Sequence, residues 1–202
     1  APERVVPDRQ ISAGFMHSGY PFMCWIDPSQ KDSVDLPKLM KEGNWGFFHE
    51  LGHNHQCSAW TFTGQTEVTC NLFSLYVMEK LVGKPTGRGH PSMEKLDELL
   101  AKRFATEPNM GPFEQLATFV VLIRAHGWAP LRETLRSYAT EAAPKGSTKE
   151  QLQSLFVLRY GKAAKADVSE YFEKMGYHVA ATTKSALKGL PAFKPTLPAT
   201  AK

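Results

Sequence analysis

The stretch WGFFHELGH, residues 45–53, decides the fold expected of this chain and much of its chemistry. Residues four apart in a helix lie on the same face, so His49 and His53 can offer two imidazoles to one metal ion. Glu50 follows the first histidine, where its carboxylate can accept the proton of a metal-bound water. The pattern predicts the metal-binding helix of a zinc hydrolase, and a surface helix with two unrelated histidines is the weaker interpretation.

A third ligand is needed, because catalytic zinc usually takes three protein ligands and leaves a fourth position for water. Glu67 is the candidate, since it opens a second apolar segment, residues 67–81, with helical spacing and a stop at Gly83. A helix, a loop and a second helix would bring Glu67 back to the histidine pair. Asn71, one turn further on, could accept a hydrogen bond from a ligating histidine, or it could simply cap or solvate its helix.

Asn44 and Gly52 constrain the helix that carries the motif. Asn44 can cap its N-terminus, and the helix then runs to about His53. A glycine inside a helix costs about 1 kcal/mol relative to alanine. Gly52 therefore indicates that another backbone or the second helix comes close at that point.

Composition limits the function classes. A chain of 202 residues with 42% apolar residues forms one domain, or one domain with a helical extension. It has no run of eighteen apolar residues, so no membrane span is predicted. The net charge of +4 is spread along the chain, which predicts no nucleic-acid partner. The abrupt start at Ala1 suggests a processed or truncated chain.

The three cysteines allow more than one interpretation. Cys57 and Cys70 bracket the loop between the two predicted metal-binding helices and could form a disulfide. With Cys24, they could equally be buried free thiols. Cys57, four residues after His53, is also the candidate fourth ligand of a closed, structural zinc site.

The apolar patterns predict an α+β fold that is mostly helical. Short strands are expected at residues 5–6, 10–16 and 22–26, with a tight turn at 17–21. The expected domains are a catalytic zinc core at 1–83, a C-terminal helical subdomain at 84–190 and an extended tail at 191–202. The helices expected in the subdomain are 93–104, 113–125, 130–138, one from a capping box at 147–150 to Gly161, and one from 167–170 to Gly176.

Several blocks of the sequence, in this order and spacing, resemble one peptidase family. The blocks are QISAG (10–14), HSGYP (17–21), WGFFHELGHNHQ (45–56), WTF (60–62), TEVT (66–69) and NLFSLY (71–76). They are similar to those of the enhancin-like peptidases, metallopeptidase family sixty. The helical part after Lys84 resembles the family's C-terminal subdomain more weakly, chiefly at Gly127 and Trp128.

The resemblance implies a gluzincin-type zincin fold and zinc-dependent endopeptidase activity. Many members of the family are secreted or surface-bound and act on mucins and other O-glycosylated proteins, so the same substrate and location are expected here. By this resemblance Zn²⁺ would be held by His49, His53 and Glu67, with Glu50 as the general base. Three further residues match recurring family positions and would line the cleft or belong to the core: His17, Tyr20 and Trp60.

The family's catalytic domain usually begins well before the QISAG block, with strands that build the upper half of the cleft. The resemblance therefore implies that an upstream portion contributes to substrate binding, either an N-terminal portion of the same protein, of which this chain is a truncated part, or a portion on another chain. The donor that stabilises the oxyanion stays open among residues of suitable chemistry: Tyr20, Tyr138, His17 and His126. A non-catalytic glycoprotein- or protein-binding module with a structural zinc site is the alternative function, followed by a hydrolase of small molecules.

Overall fold

The computed structural model of this chain describes residues 2–27, 31, 34–104 and 111–197, without the side chains of 102–104. The chain divides into two units. The first comprises Ala1–Gln56 and Thr66–Leu96, and the second comprises Cys57–Gln65 and Asp97–Lys202. The domain boundary expected at residue 83 stays a prediction.

The first unit contains a three-stranded sheet in the order β1-β3-β2. β1 (Val5–Asp8) runs parallel to β3 (Phe22–Trp25), and β2 (Met16–His17) runs antiparallel to it. The strand expected over residues 10–16 is wrong except at its last residue. Gly14 has a φ of 60°, and this left-handed conformation interrupts the extended chain that a strand requires.

β3 explains how the sheet is joined to the first unit's helices. Phe22 and Cys24 point to one face and are fully buried, whereas Trp25 points to the other and is exposed. The buried face packs on Phe47 and Phe48, which lie in the helix that carries the histidine motif. The sheet and the motif helix therefore share one hydrophobic core.

Three α-helices follow the sheet in the first unit: α1 (Leu36–Glu42), α2 (Trp45–Asn54) and α3 (Thr66–Lys80). The side chain of Asn44 accepts a hydrogen bond from the Phe47 amide at 3.0 Å, so the predicted cap of the motif helix is confirmed. The second predicted helix is confirmed as α3. A short 3-10 helix, Pro91–Lys95, then occupies the start of the segment expected to be α-helical from residue 93.

The second unit is helical over most of its described residues. Gly127, with a φ of 71°, ends α5 as predicted. The helices are α4 (Leu96–Phe104), α5 (Pro112–His126), α6 (Ala129–Thr140), α7 (Lys149–Ala164), α8 (Ser169–Lys174) and α9 (Ala181–Leu187). Of these, α9 is not anticipated by the sequence patterns.

Two expected helix boundaries are wrong. The capping box of α7 is formed by Thr148 and Gln151, one residue after the expected pair, and the helix continues to Ala164. At α8, Asp167 accepts from the Ser169 amide at 3.0 Å but does not cap the helix, and Glu170 completes no box. Neighbouring residues satisfy the same spacing, so only the backbone path selects between them.

Aromatic side chains form the centre of the second unit. The rings of Phe156, Phe172 and Tyr177 meet edge to face, with the Phe172 and Tyr177 centroids 5.0 Å apart. Within the expected tail, residues 191–202, the amide of Phe193 donates to the Asp167 carbonyl at 2.9 Å. Residues 198–202 of this tail lie outside the described residues. None of the described helices combines the length and apolar character that crossing a membrane requires.

Candidate metal centre

α2 and α3 approach each other at Gly52. A Cβ atom on Gly52 would lie 3.1 Å from the Cα and 3.0 Å from the carbonyl carbon of Cys70, and closer still to its carbonyl oxygen. Real Cβ atoms essentially never come that close to backbone oxygen, so only glycine allows this contact. The close approach predicted from the glycine is confirmed, and it brings the start of α3 beside the histidines.

The side chains of His49, His53 and Glu67 converge at this crossing. His49 Nε2 lies 3.1 Å from His53 Nε2 and 3.1 Å from Glu67 Oε2. His53 Nε2 lies 3.5 Å from the same carboxylate oxygen. The histidine side chains are 20% and 14% exposed and the glutamate side chain is 60% exposed, so solvent reaches the cluster from the side of Glu67.

The ring of His49 is oriented by Asn71. Asn71 Oδ1 lies 2.8 Å from His49 Nδ1 and also accepts from Trp45 Nε1 at 2.9 Å. An indole nitrogen can only donate, so the Asn71 atom at this point is the oxygen and His49 Nδ1 must carry a hydrogen. In the neutral ring, Nε2 of His49 then presents a lone pair to the cluster.

The ring of His53 is oriented in the same way by Gln56. Gln56 Nε2 donates to the Thr66 carbonyl at 2.6 Å, so its other amide atom is the oxygen, and this oxygen lies 2.9 Å from His53 Nδ1. His53 Nδ1 therefore also carries a hydrogen, and in the neutral ring its Nε2 presents a second lone pair. Two nitrogen lone pairs and a carboxylate oxygen thus meet at one point, which is the donor set of a metal centre.

Glu50 and Cys70 are the other ionisable groups close to the cluster. Glu50 is half-buried on α2. Cys70 is fully buried, and the pKa of its thiol is strongly raised, first by burial and then by the negative charge of Glu67, with a smaller effect of Glu50. Both carboxylates therefore act electrostatically on this thiol.

Cys70 belongs to the same potential metal-ligand group, in which the ligand atoms of the four residues lie within 4.8 Å of one another. Its sulfur is 3.4 Å from His49 Nδ1 and 3.8 Å from Nε2, so it packs beside the ring, nearer the nitrogen that faces Asn71. Cys24, Cys57 and Cys70 are all free thiols, and Cys57 does not belong to the ligand group.

His17 and Tyr20 lie in the first unit, His17 at the end of β2 and Tyr20 in the turn that leads to β3. The ring of His17 hydrogen-bonds to Ser12 and to the Ser18 carbonyl. Tyr20 is 55% exposed and its hydroxyl donates to Glu3 at 3.1 Å. Asn54 fastens this turn to the end of α2, since it accepts from the Gly19 amide at 2.8 Å and donates to the Gly19 carbonyl. A role of either residue in substrate binding stays a prediction.

Trp60, His126 and Tyr138 belong to the second unit, where each is held by that unit's packing. Trp60 is 4% exposed. His126 Nδ1 lies 3.1 Å from the Tyr160 hydroxyl, and burial lowers the pKa of its imidazole. The Tyr138 hydroxyl is buried and has no hydrogen-bond partner among the residues that the structure describes.

Sequence reasoning missed Gln56, Trp45 and His90. Gln56 and Trp45 act through hydrogen bonds just described. His90 rests on the Trp45 ring with centroids 5.2 Å apart, and its pKa is lowered chiefly by burial. The family blocks WGFFHELGHNHQ and NLFSLY contain the first two together with Asn71, so a search of those blocks for amide and indole groups would have found them.

Comparison with known proteins connects this geometry to a family. The sequence profile of the family described as "Peptidase M60, enhancin and enhancin-like" matches residues 1–176. The chain is 34% identical over 200 residues to TRPM8 channel-associated factor 2 of Homo sapiens, which covers 96% of this chain and 21% of that protein. The chain therefore spans about a fifth of the length of this curated relative.

Solved structures share the fold at lower identity. A functionally unknown conserved protein from Bacillus anthracis str. Ames superimposes with a TM-score of 0.80 at 23% identity, over 95% of this chain and 40% of that one. A metallopeptidase in complex with Tn antigen superimposes with a TM-score of 0.65 at 19% identity, over 94% of this chain and 41% of that one. The mostly helical α+β fold described above is the fold of these proteins.

Proposed function

Because this chain belongs to the M60 peptidases, the enhancin and enhancin-like family, we propose that it is a zinc-dependent endopeptidase. The observation that carries the proposal is the convergence of His49 Nε2, His53 Nε2 and Glu67 Oε2, with separations of 3.1–3.5 Å. A tetrahedral zinc ion with bonds of 2.0–2.1 Å needs ligand atoms about 3.3 Å apart. The donor set and its spacing therefore fit zinc.

The residues of the site would have separate roles in metal binding and proton transfer. His49, His53 and Glu67 would hold the ion, and Asn71 and Gln56 would keep both imidazoles turned towards it. When bound, zinc supplies Lewis acidity, which polarises a carbonyl group and acidifies water. Glu50, next to a ligand and half-buried, would accept the proton of the attacking water and pass it to the leaving amine.

Two observations support an open site over a closed, structural one. A structural zinc ion is usually enclosed by four protein ligands, and the sulfur of Cys70, the fourth residue of the group, lies closer to His49 Nδ1 (3.4 Å) than to the Nε2 that faces the cluster (3.8 Å). The side chain of Glu67 is 60% exposed, which leaves room for water and substrate. The ligands of an enclosed site would be shielded from solvent.

We propose O-glycosylated, mucin-type proteins as the substrate class. The similarity to a metallopeptidase solved in complex with Tn antigen supports this choice. Such substrates imply action outside the cell or at its surface. Substrate binding would also involve an upstream N-terminal portion of the same protein, together with residues of the first unit such as His17 and Tyr20.

A non-catalytic binding module is the second candidate function. It is favoured by the name of a curated relative, a channel-associated factor, which describes association and no reaction. This candidate predicts that the chain binds a protein or glycoprotein partner without cleaving it, whether or not metal is bound. Measurement of substrate cleavage therefore distinguishes the two functions.

The test is mass spectrometry of an O-glycosylated mucin-type protein incubated with this chain at measured metal content, beside the variant Glu50→Gln. We expect cleavage next to glycosylated Ser or Thr, which is lost when the substrate is deglycosylated. Loss of the general base should slow cleavage by a factor on the order of 10² to 10⁴, with metal content unchanged. No cleavage by metal-loaded chain would mean either that the upstream portion is required for substrate binding or that the chain is a binding module.

A further inference from the structure

We propose that Gln56 is a positioning residue that fixes the ring of His53 and ties it to the start of α3. The proposal rests on the metal centre of the proposed function and adds a residue that the zinc motif does not include. Gln56 lies just beyond the end of α2 at Asn54. Its side chain reaches both the second histidine and the helix that carries Glu67.

The side chain of Gln56 makes three hydrogen bonds, one to a proposed metal ligand and two to α3. Its Oε1 accepts from His53 Nδ1 at 2.9 Å. Its Nε2 donates to the Thr66 carbonyl at 2.6 Å and to Thr69 Oγ1 at 2.7 Å. Thr66 precedes Glu67 and Thr69 follows it by two residues, so one amide contacts one metal ligand and both flanks of another.

No other side chain supplies the same acceptor and donor in the same places as the Gln56 amide. A carboxylate would keep the acceptor for His53 but would place a second acceptor against the Thr66 carbonyl, which can only accept. Asparagine is one methylene shorter and could not span from His53 to α3. An apolar side chain would leave His53 Nδ1 and the Thr66 carbonyl without this partner.

Asn71 offers the natural comparison within the same centre. It orients His49 and donates to the Glu67 carbonyl at 2.8 Å, but it lies on α3 itself. Gln56 is attached to α2 and bonds across to α3. Its removal should therefore affect the orientation of a ligand and also the link between the two helices.

The experiment measures metal affinity, ring tautomer and thermal stability for three variants beside the unaltered chain. Gln56→Met removes every hydrogen bond at nearly constant length, and Gln56→Glu keeps the acceptor and removes the donor. Gln151→Met is the matched control, because Gln151 is also a bonded glutamine but belongs to the capping box of α7. Affinity for Zn²⁺ is measured by competition with a chelator, and ring-nitrogen NMR of the metal-free chain reports which nitrogen of His53 carries the hydrogen.

We expect Gln56→Met to weaken Zn²⁺ binding 10- to 100-fold, the usual loss for a group that orients a ligand, and to remove the hydrogen-bonded Nδ1–H signal of His53. Gln56→Glu should keep that signal and bind Zn²⁺ within about fivefold of the unaltered chain, but unfold at a lower temperature. Gln151→Met should lower the unfolding temperature without changing Zn²⁺ affinity. If Gln56 were merely structural, both Gln56 variants would behave like this control: a lower unfolding temperature with unchanged Zn²⁺ affinity.

Equal Zn²⁺ affinity of Gln56→Met and the unaltered chain would overturn the proposal. If the unaltered chain binds no Zn²⁺, the proposed function fails. The tautomer of His53 in the metal-free chain then still shows whether Gln56 positions the His53 ring. Should Gln56→Met not fold, Gln56→Asn is the replacement. It should lose the His53 bond and bind Zn²⁺ about tenfold more weakly, and unchanged binding would again overturn the proposal.

Discussion

Two helices of this chain contain a glycine at a close contact, and the two contacts differ in kind. Gly52 in α2 faces the backbone of Cys70 in α3, whereas Gly161 in α7 faces the methyl groups of Leu187 in α9. A backbone cannot move aside without its helix, but a leucine side chain can change its rotamer. The α2–α3 contact therefore leaves less freedom, and it is the contact that carries the candidate metal centre.

Buried polar groups differ between the two regions in a related way. Around α2 and α3, the amides of Asn71 and Gln56 bond to histidine rings. In the second unit, the Tyr171 hydroxyl bonds to the Thr118 carbonyl, which satisfies a backbone group in the core. The Asn71 and Gln56 amides therefore orient other side chains, whereas the Tyr171 hydroxyl satisfies a backbone group within the core.

The largest stability change is expected for Gly52→Ala. In an unobstructed helix this substitution stabilises by about 1 kcal/mol. Here the new Cβ would overlap the Cys70 carbonyl, so α2 and α3 must separate. We expect the free energy of unfolding to fall by about 2–3 kcal/mol, measured by urea denaturation, and Zn²⁺ affinity to fall with it. Unchanged stability would mean that the two helices are not held at this distance.

The sequence predicts the α2–α3 pair well because its determinants are local. Asn44, the histidine spacing and the apolar period of α3 each act within a few residues, and Gly52 signals the close contact. Gln56 could not be assigned a role in this way. Its bond to Thr66 depends on the chain between the two helices returning to that point, and no short pattern specifies the return.

The same distinction explains the errors elsewhere. Gly14 breaks a strand that the alternation of residues 10–16 favours, because its positive φ depends on the turn that follows. The capping box of α7 is displaced by one residue because Ser147 and Thr148 are chemically alike. Local patterns therefore predict which elements form, and tertiary contacts decide where they begin and which polar groups meet.

An intermediate change in the free energy of unfolding is expected for Tyr138→Phe. This variant tests whether a buried polar group of the second unit contributes only to packing. Burial, chiefly, raises the pKa of Tyr138 to about 12, with Arg159 lowering it and Cys57 raising it. The phenol of the unfolded chain ionises near pH 10, so it loses its proton before that of the folded chain does. Stability from this group is full below pH 10 and is lost as the pH rises to about 12.

Removing the hydroxyl should therefore have two measurable results. At neutral pH we expect a gain of about 1 kcal/mol, because a buried hydroxyl without a partner among the described residues is removed. Between pH 10 and 12 the variant should lose less stability than the unaltered chain in urea denaturation. Any peptidase activity should be unchanged, and a large fall in turnover would instead make Tyr138 a candidate oxyanion donor.

The smallest effect is expected for Gly161→Ala, the counterpart of Gly52→Ala. Its Cβ would lie 2.7 and 2.8 Å from the two Leu187 methyl groups and 3.0 Å from the Ala166 carbonyl oxygen. Moving Leu187 should cost about 1–2 kcal/mol, and the helix preference for alanine over glycine returns about 1 kcal/mol. The free energy of unfolding should therefore stay within about 1 kcal/mol of the unaltered chain.

A double-mutant cycle with Leu187→Val separates the two contacts of Gly161. If the leucine methyl groups limit the space, the pair will show a coupling energy of at least about 0.5 kcal/mol, with alanine better tolerated beside valine. If Gly161→Ala instead costs as much as Gly52→Ala and shows no coupling, the Ala166 carbonyl is the obstacle. Both glycines would then face backbone, and the greater rigidity assigned to the metal-binding helix pair would have to come from its hydrogen bonds alone.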